Sequence, residues 1–174
     1  MENMTEEHRC ELQGEKKFAT AEAPFHFTAS GLPNVFLVGI DYWACPCGNL
    51  SAEIPAVKQL MTVIARSLVN KDSVLDGDEI RFLRKRLGKK AADFAQQLRI
   101  TPEHLSKLEN GHLPVGEQTD ALVRFVYIFQ SKDEVLQHSF RQANAMARNL
   151  RPTSSERILA QVVESDWDVL PTAA

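Results

Sequence analysis

Three polar residues at helical spacing, Glu103, His104 and Lys107, are the most informative chemical group in the sequence. Residues three and four positions apart are neighbours on one face of a helix. On such a face, a lysine can donate hydrogen bonds to guanine O6 and N7, and a glutamate can accept one from cytosine N4. Pro102 precedes them and can pack against a thymine methyl group. The group predicts a helix that contacts base edges in the major groove of duplex DNA.

Positive charge is concentrated just before this group. The whole chain has 20 lysines and arginines, 23 aspartates and glutamates, and a net charge of −3. Between positions 81 and 99, Asp93 is the only acidic residue, and the basic residues are Arg81, Arg84, Lys85, Arg86, Lys89, Lys90 and Arg99. Local charge governs phosphate binding, so we expect Lys89 and Lys90 to contact the DNA backbone. The alternative is a basic helix end that is only solvated.

Three short helices are predicted to position these residues. A first helix follows an acidic cap, Asp76 or Asp78, and a second helix spans 90–98. After a tight turn, Thr101 caps a third helix that ends at Asn110. Apolar residues recur at helical spacing in all three: Ile80, Leu83, Leu87, Phe94, Ala95, Leu98, Leu105 and Leu108. The pattern predicts a helix-turn-helix, and the alternative is an ordinary three-helix core with a polar outer face.

Strands are predicted ahead of these helices. Alternating or β-branched apolar runs with turn residues between them indicate strands at 25–28, 35–40, 41–44 and 49–54. An amphipathic helix follows over 55–69. Residues 1–22 are charged, show no sustained period and are expected to be a flexible acidic lead.

Two more helices are predicted after the third helix of the motif, over 117–129 and 132–150. Ala121, Leu122, Phe125, Val126 and Ile128 of the first of these are expected to complete the core. Apolar residues between 158 and 170 have no evident partner, so the second helix and this tail are predicted to form a dimer interface. The expected division is 1–22, 23–70, 71–130 and 131–174.

Several function classes are disfavoured by the sequence. No apolar run reaches the ~20 residues of a membrane span, and the acidic start MENMTEEHRC does not resemble a signal peptide. Three cysteines without a secretory signal favour a cytoplasmic location. His104 has Glu103 and Ser106 as neighbours on a single short helix, which is not a catalytic arrangement, and no phosphate-binding glycine loop occurs. We expect a protein that is not an enzyme.

Two sets of motifs resemble known families. FAQQL at 94–98 and ENG at 109–111 resemble the Xre/Cro-repressor type of helix-turn-helix. FHFTASGL at 25–32, CPCG at 45–48 and GDEIRFLR at 77–84 resemble MqsA/YgiT-type antitoxins over about residues 24 to 128. The resemblance implies an α+β chain: a small zinc-binding-like β module, an all-α lambda-repressor-like domain and a C-terminal helix. It also implies further phosphate contacts from Thr101 and Asn110, which flank the recognition helix. Ser106 and His112 are expected to add contacts at the rim of that helix.

The chain departs from the family at its cysteines. The family binds zinc through two CxxC pairs, which supply four thiolates. Here Gln13 stands where the partner of Cys10 is expected, and the second pair is shortened to Cys45 and Cys47. A zinc site here is expected to be of the Cys₃His type, with Cys10, Cys45 and Cys47 and a fourth ligand from His8 or His26. The alternative is a degenerate site whose β module is held together by apolar packing alone.

The function expected from these features is sequence-specific transcriptional regulation. A single recognition helix contacts few base pairs, so a homodimer on an inverted repeat is expected. The resemblance implies an autoregulatory, antitoxin-like repressor with a cognate toxin as a further partner. Two alternatives stay open: a regulator without a toxin, and a protein-interaction module or toxin-neutralising protein in which DNA binding is secondary or lost.

Overall fold

The structure, a computed structural model, describes residues 14–137, 157–163 and 166–170. The described chain is a mixed α+β protein, and the fold class predicted from the sequence is confirmed at that level. It divides into two compact units. Among the described residues, the β unit takes 14–28, 34–63 and those from 157 onward, and the helical unit takes 29–33 and 64–137.

Two small sheets form the β unit. One is antiparallel with the order β1-β4-β5, where the strands are β1 (Glu15–Phe18), β4 (Asp41–Ala44) and β5 (Leu50–Ala52). The other has the order β2-β3-β6-β7, where the strands are β2 (Phe25–His26), β3 (Val35–Val38), β6 (Ile158–Val163) and β7 (Asp166–Val169). β3 and β6 are parallel, with Val35 opposite Ile158, and the other neighbouring pairs are antiparallel.

Strand β1 lies inside the segment that the sequence predicts to be a flexible lead. Its sequence EKKF has no apolar alternation, so no local signal marks it as a strand. Pairing with β4 supplies its stabilisation, with Glu15 opposite Ala44 and Lys16 forming an ion pair with Asp41 at 2.8 Å. The prediction that residues up to 22 lack regular structure is therefore wrong for 15–18.

The apolar residues near position 160 have partners within the chain. β6 adds to β3, and Ile158, Ala160 and Trp167 are buried with Phe25, Val35, Leu37 and Ile40 in the β unit. The Trp167 indole also donates a hydrogen bond to the Pro55 carbonyl at 2.8 Å. The expectation that the apolar residues of 158–170 lack a partner within the chain is therefore wrong, because pairing between distant segments leaves no trace in the local sequence. A dimer contact through the C-terminal segment stays a prediction.

The helix predicted over 132–150 is described only at its start. Residues 134–137 are helical, and the Asp133 carboxylate accepts hydrogen bonds from the backbone N–H groups of Val135 and Leu136 at 3.1 and 3.2 Å. The remainder of that predicted helix lies outside the described residues.

Helices are present at each position predicted between residues 55 and 129. They are α1 (Val57–Asn70), α2 (Gly77–Arg86), α3 (Ala91–Gln97), α4 (Pro102–Glu109) and α5 (Glu117–Gln130). Asp76, not Asp78, caps α2: its carboxylate accepts the Glu79 N–H at 2.9 Å, and the Glu79 carboxylate accepts the Asp76 N–H at 2.7 Å. No described helix is both long enough and apolar enough to span a membrane.

A buried ionic cluster on α5 fixes the segment between α1 and α2. Arg124 pairs with Asp120 at 2.9 Å, and both side chains are buried. The Arg124 guanidinium donates to three carbonyl oxygens, that of Val69 in the last turn of α1 and those of Lys71 and Ser73 in the segment, at 2.6 to 2.8 Å. Asp120 also accepts the Leu75 N–H at 2.8 Å. These hydrogen bonds satisfy backbone groups that would otherwise be buried without partners.

The buried face of α5 agrees only in part with the one predicted. Val126 and Ile128 are buried as predicted. Val123 and Tyr127 are also buried, whereas Ala121 and Phe125 are exposed. The sequence is misleading here because apolar residues occur all around this helix, so its hydrophobic periodicity does not select one face.

Candidate nucleic-acid interface

Helix α4 has a firmly defined start and one buried side. The Thr101 hydroxyl accepts the His104 N–H at 3.1 Å, and Pro102 occupies the first turn, where its missing N–H costs nothing. Leu105 and Leu108 are almost completely buried. Because these leucines fix the inward side, the positions between them must face outward.

The predicted base-contacting residues share the exposed side of α4. Pro102, Glu103, His104 and Lys107 are all exposed. The backbone N–H of Glu103, followed by the Thr101 hydroxyl, holds the pKa of the Glu103 carboxyl below its usual range. Glu103 is therefore an anion at neutral pH and can only accept hydrogen bonds, while Lys107 can only donate them. The exposed side thus presents complementary acceptor and donor groups one helical turn apart.

The cations predicted to contact phosphate are accessible. Lys90 is exposed at the N-cap position of α3, and Lys89 is partly exposed. Lys85, Arg99 and His112 are also exposed. Thr101 and Ser106 are exposed as well. The Thr101 hydroxyl accepts the His104 N–H, and the Ser106 hydroxyl accepts a hydrogen bond from the Asn110 amide.

Arg81 and Arg84 of the basic segment form hydrogen bonds and ion pairs within the protein. Arg84 forms a bidentate ion pair with Glu109, at 2.6 and 2.8 Å, and donates to the Lys89 carbonyl at 3.0 Å. Arg81 donates to Asp78 at 2.8 Å and to the Glu109 carbonyl at 2.5 Å. The hydrogen bonds from Arg84 to Glu109 raise the pKa of Arg84. Counting Arg81 and Arg84 with the charge available to phosphate therefore overstates that charge.

Asn110 is also engaged within the protein. Its amide NH₂ donates to the Ser106 carbonyl and hydroxyl at 2.8 and 3.2 Å. Its amide oxygen accepts from Arg81 at 2.7 Å. These bonds use both polar ends of the amide, so they indicate that Asn110 holds the end of α4, not that it donates to a phosphate.

The start of α2 and the end of α4 approach each other at Gly77. A Cβ atom at this position would overlap the Leu108 carbonyl oxygen and press on the backbone of Glu109. Only a glycine permits this approach. This close approach and the Arg84–Glu109 ion pair together fix the position of α4 against α2. Neither feature can be predicted from the sequence, because nothing local links residues 77 and 84 to 108 and 109.

The cysteines occupy a tight turn between β4 and β5. Cys45 and Asn49 are joined by a backbone hydrogen bond of 2.9 Å, and the Gly48 N–H donates to the Cys45 carbonyl at the same distance. Cys45 is partly exposed and Cys47 exposed. The turn thus carries two thiol groups, whereas a structural zinc site requires four ligands.

The other predicted zinc ligands do not complete the site in the described residues. His26 stacks on the Phe36 ring, with 4.8 Å between ring centroids. Within the described part of the chain, no three His, Cys, Asp or Glu side chains converge as metal ligands, so His26 does not join the two cysteines. His8 and Cys10 lie outside the described residues, and zinc binding stays a prediction.

Comparison with known proteins adds no assignment. No protein-family model matches the chain, no similar curated protein is found, and no solved structure matches it. The resemblance to MqsA/YgiT-type antitoxins therefore stays a prediction based on sequence motifs.

Proposed function

We propose that the chain is a sequence-specific DNA-binding regulator whose α2, α3 and α4 form a helix-turn-helix. In this proposal α4 is the recognition helix. The observation that supports this proposal is that α4 has one buried and one exposed side. Leu105 and Leu108 are buried, whereas Glu103, His104 and Lys107 are exposed. A helix held at both ends by its own domain and polar on its outer side suits insertion into a major groove.

Base selection is assigned to the outer side of α4. Lys107 donates to guanine O6 and N7, and Glu103 accepts from cytosine N4. Because Glu103 is ionised, it also repels phosphate and cannot contact the backbone favourably. The pair therefore favours a site in which guanine and cytosine lie close together. His104 and Pro102 add contacts to neighbouring bases.

Affinity that does not depend on sequence is assigned to the accessible lysines. Lys90 and Lys89 contact phosphates and release counterions, so binding weakens as salt rises. Thr101, Ser106 and His112 add hydrogen bonds to the backbone, which set the register of α4. Arg81 and Arg84 are left out of this set because their guanidinium groups are bonded within the helical unit.

Two copies are needed for useful specificity. One recognition helix contacts only a few base pairs, whereas a two-fold dimer on an inverted repeat doubles the recognised sequence. We propose a homodimer that represses transcription from such a site. An autoregulatory, antitoxin-like role follows from the sequence resemblance alone.

The test is binding to duplexes selected from a random pool. Lys107→Ala should weaken binding to the selected site by ~1–3 kcal/mol and relax the preference at one base pair. Lys90→Ala should weaken binding to all duplexes alike. It should also lower the slope of log affinity against log salt concentration by about one, because one phosphate contact is lost. Lys58→Ala, an exposed lysine on α1, is the matched control and should change neither property.

Two results would contradict base selection by α4. One is that no sequence is enriched from the pool. The other is that Lys107→Ala and Lys90→Ala reduce binding to every duplex equally.

A second candidate function is supported by the β unit. Phe18 on β1 and Leu50 on β5 are 59% and 51% exposed, and both lie on edge strands of their sheet. Exposed edges with apolar side chains can pair with a strand of another protein. We propose protein binding at this sheet, for instance of a cognate toxin, as the alternative. Affinity capture of a protein by the wild type, but not by Phe18→Lys, would support protein binding at this sheet independently of any binding to DNA.

A further inference from the structure

We propose that a cleft on the β1-β4-β5 sheet binds an arginine side chain from an extended segment of a partner protein, and that this segment pairs with β5. The cleft is lined by Trp43, Ser51, Ala52 and Glu53, and we call it the Trp43 cleft. The inference rests on the second candidate function, protein binding at this sheet, and does not depend on DNA binding. Strand register, charge and the edge position of β5 support it.

The strand register places the Trp43 cleft on one face of the sheet. Trp43 lies opposite Ser51 in the pairing of β4 with β5, and successive side chains of a strand point to opposite faces. Tyr42 therefore lies on the other face, where its ring contacts that of buried Phe25 with centroids 5.4 Å apart. The cleft is on the face turned away from Phe25, with Trp43 partly exposed and Glu53 exposed.

The Trp43 cleft carries one carboxylate whose charge is not balanced. Glu53 has no ion-pair partner among the described residues. The neighbouring charges on the same face cancel, because Lys16 and Asp41 form an ion pair at 2.8 Å. A group that enters the cleft therefore meets the aromatic side chain of Trp43 and an anion. A cation suits both, because positive charge is attracted to the face of an indole ring and to a carboxylate.

The guanidinium group of arginine fits these two partners better than the ammonium group of lysine. It is planar, so it can stack flat on an aromatic ring. Its N–H groups lie in the same plane and match both oxygens of a carboxylate. An ammonium group is a compact and more strongly hydrated charge, and it offers no flat surface to the ring. Arginine is therefore the side chain that the cleft should select.

The edge position of β5 indicates that this arginine belongs to an extended segment. β5 is the last strand of its sheet, so the backbone N–H and C=O groups on its outer side have no strand partner in the described part of the chain. An added strand would form hydrogen bonds with these groups and would place every second side chain on the face of Trp43. Strand pairing would supply affinity, and the arginine would select the partner.

Calorimetric titration of the full chain with synthetic peptides tests the proposal. The probe is an acetylated and amidated pentapeptide in which threonine and arginine alternate, since threonine favours extended structure. It should bind with a dissociation constant of about 100 μM. A citrulline analogue keeps the shape without the charge and should bind about 10-fold more weakly, and a lysine analogue about threefold more weakly. Equal affinities for the arginine and citrulline peptides overturn the proposal.

A pair of variants locates the binding site of the peptide. Glu53→Gln should weaken binding of the arginine peptide about fivefold and leave that of the citrulline peptide unchanged. Glu15→Gln is the matched control, because it removes the same charge from β1 on the Tyr42 face of the same sheet and should have no effect. Equal losses from both variants would mean general attraction to an acidic protein and would overturn the proposal.

Methylated peptides test pairing with β5. The N–H groups of an extended segment point alternately to its two edges, so only one alternate set can face β5. Methylating the nitrogens of that set should abolish binding, whereas methylating the other set should not. If neither set matters, or if N-acetylarginine amide binds as tightly as the pentapeptide, the occupant is not an added strand and the proposal is overturned.

Two other results distinguish the proposal from related explanations. If no peptide binds and Glu53→Gln strongly lowers the melting temperature, an arginine from the chain's own segments 1–13 or 138–156 fills the Trp43 cleft, and the proposal is overturned. If a protein is captured equally by the wild type and Glu53→Gln, but not by Phe18→Lys, the arginine site is rejected and protein binding at this sheet is retained.

Discussion

Arg84 and Lys90 lie in the same basic segment, and their surroundings give them different roles. Arg84 faces the buried Glu109 carboxylate, and its planar guanidinium matches both carboxylate oxygens. Lys90 stands exposed at the start of α3. A guanidinium can form the bidentate pair that Glu109 needs, while a flexible ammonium suits a phosphate outside. The usable positive charge of the segment is thus set by burial and not by the count of basic residues.

Arg99 has an unfavourable backbone conformation in the turn between α3 and α4. Its φ angle is +58°, a left-handed conformation that costs a residue with a side chain about 1–2 kcal/mol. Arg99→Gly should therefore stabilise the chain by about 1 kcal/mol, and urea denaturation followed by helical circular dichroism measures this. Arg99→Ala removes the charge but keeps the strain, so no gain is expected. A gain from alanine equal to that from glycine would contradict this explanation.

Asp133 links stability to pH. Burial alone disfavours its charge, but the hydrogen bonds from Arg66 at 2.8 and 3.0 Å, with the N–H groups of Val135 and Leu136, hold the pKa of Asp133 below its usual range. Because the folded pKa lies below the unfolded value of about 3.9, the carboxylate stabilises the fold above about pH 4, and this contribution is lost as the pH falls through the folded pKa.

Thermal melting of the wild type and Asp133→Asn across this range checks the pH dependence. The wild type should melt higher at neutral pH, and the difference should shrink as the pH falls below about 4. Glu134→Gln, an exposed neighbour, is the control and should follow the wild type. A difference that does not change with pH would show that Asp133 acts through packing.

At the level of elements, α2 and α4 are joined by ion pairs from Arg84 and Arg81 to Glu109, at 2.6 and 3.6 Å, and by the close backbone approach at Gly77. The side chains of Arg84 and Glu109 are 12% and 7% exposed. Arg84→Met should destabilise the helical unit by about 3 kcal/mol, because the buried Glu109 carboxylate loses both short hydrogen bonds and keeps the longer contact of 3.6 Å with Arg81. Lys85→Met changes the exposed neighbour and should cost less than about 0.5 kcal/mol. Equal costs in urea denaturation would mean that the pair does not hold α4.

Local signals make the helices predictable. Asp76 caps α2, Gly88 follows it in a left-handed conformation, and Thr101 with Pro102 starts α4. Each signal acts within one turn of the chain, so the sequence alone carries it. The exposed side of α4 is predictable for the same reason, since Leu105 and Leu108 define the inner side.

Contacts between distant residues are not predictable in this way. The carbonyl partners of Arg124, the Arg84–Glu109 ion pair and the approach at Gly77 depend on tertiary packing. The exposed side of α5, with Ala121 and Phe125, is easily mistaken for core because apolar residue types do not state which side of a helix faces inward. Tertiary packing therefore decides which of the predicted side chains are exposed.

At the scale of the whole molecule, the β unit depends on segments far apart in sequence. Trp167 is buried and bonded to the Pro55 carbonyl. Trp167→Ala should destabilise the β unit by about 3–5 kcal/mol, because it leaves a cavity and an unpaired carbonyl. The other tryptophan, Trp43, lies in the same unit, so its fluorescence reports the transition.

Asp168→Ala, at the exposed adjacent position, is the control for this change and should leave the Trp43 transition nearly unaltered. Helical circular dichroism measured on the same samples distinguishes loss of the β unit from loss of the helical unit. If Trp167→Ala shifts the Trp43 transition no more than the control does, Trp167 does not stabilise the β unit.

Because β3 pairs with β6, the sheet that contains them can be completed only late in protein synthesis. A ribosome makes β2 and β3 early, then all of α1 to α5, and only afterwards β6 and β7. Helices with nearby contacts fold quickly, whereas β3 must wait for a strand that has not yet been translated. The nascent chain therefore carries folded helices beside an incomplete sheet whose apolar strand is open to chaperones or to aggregation.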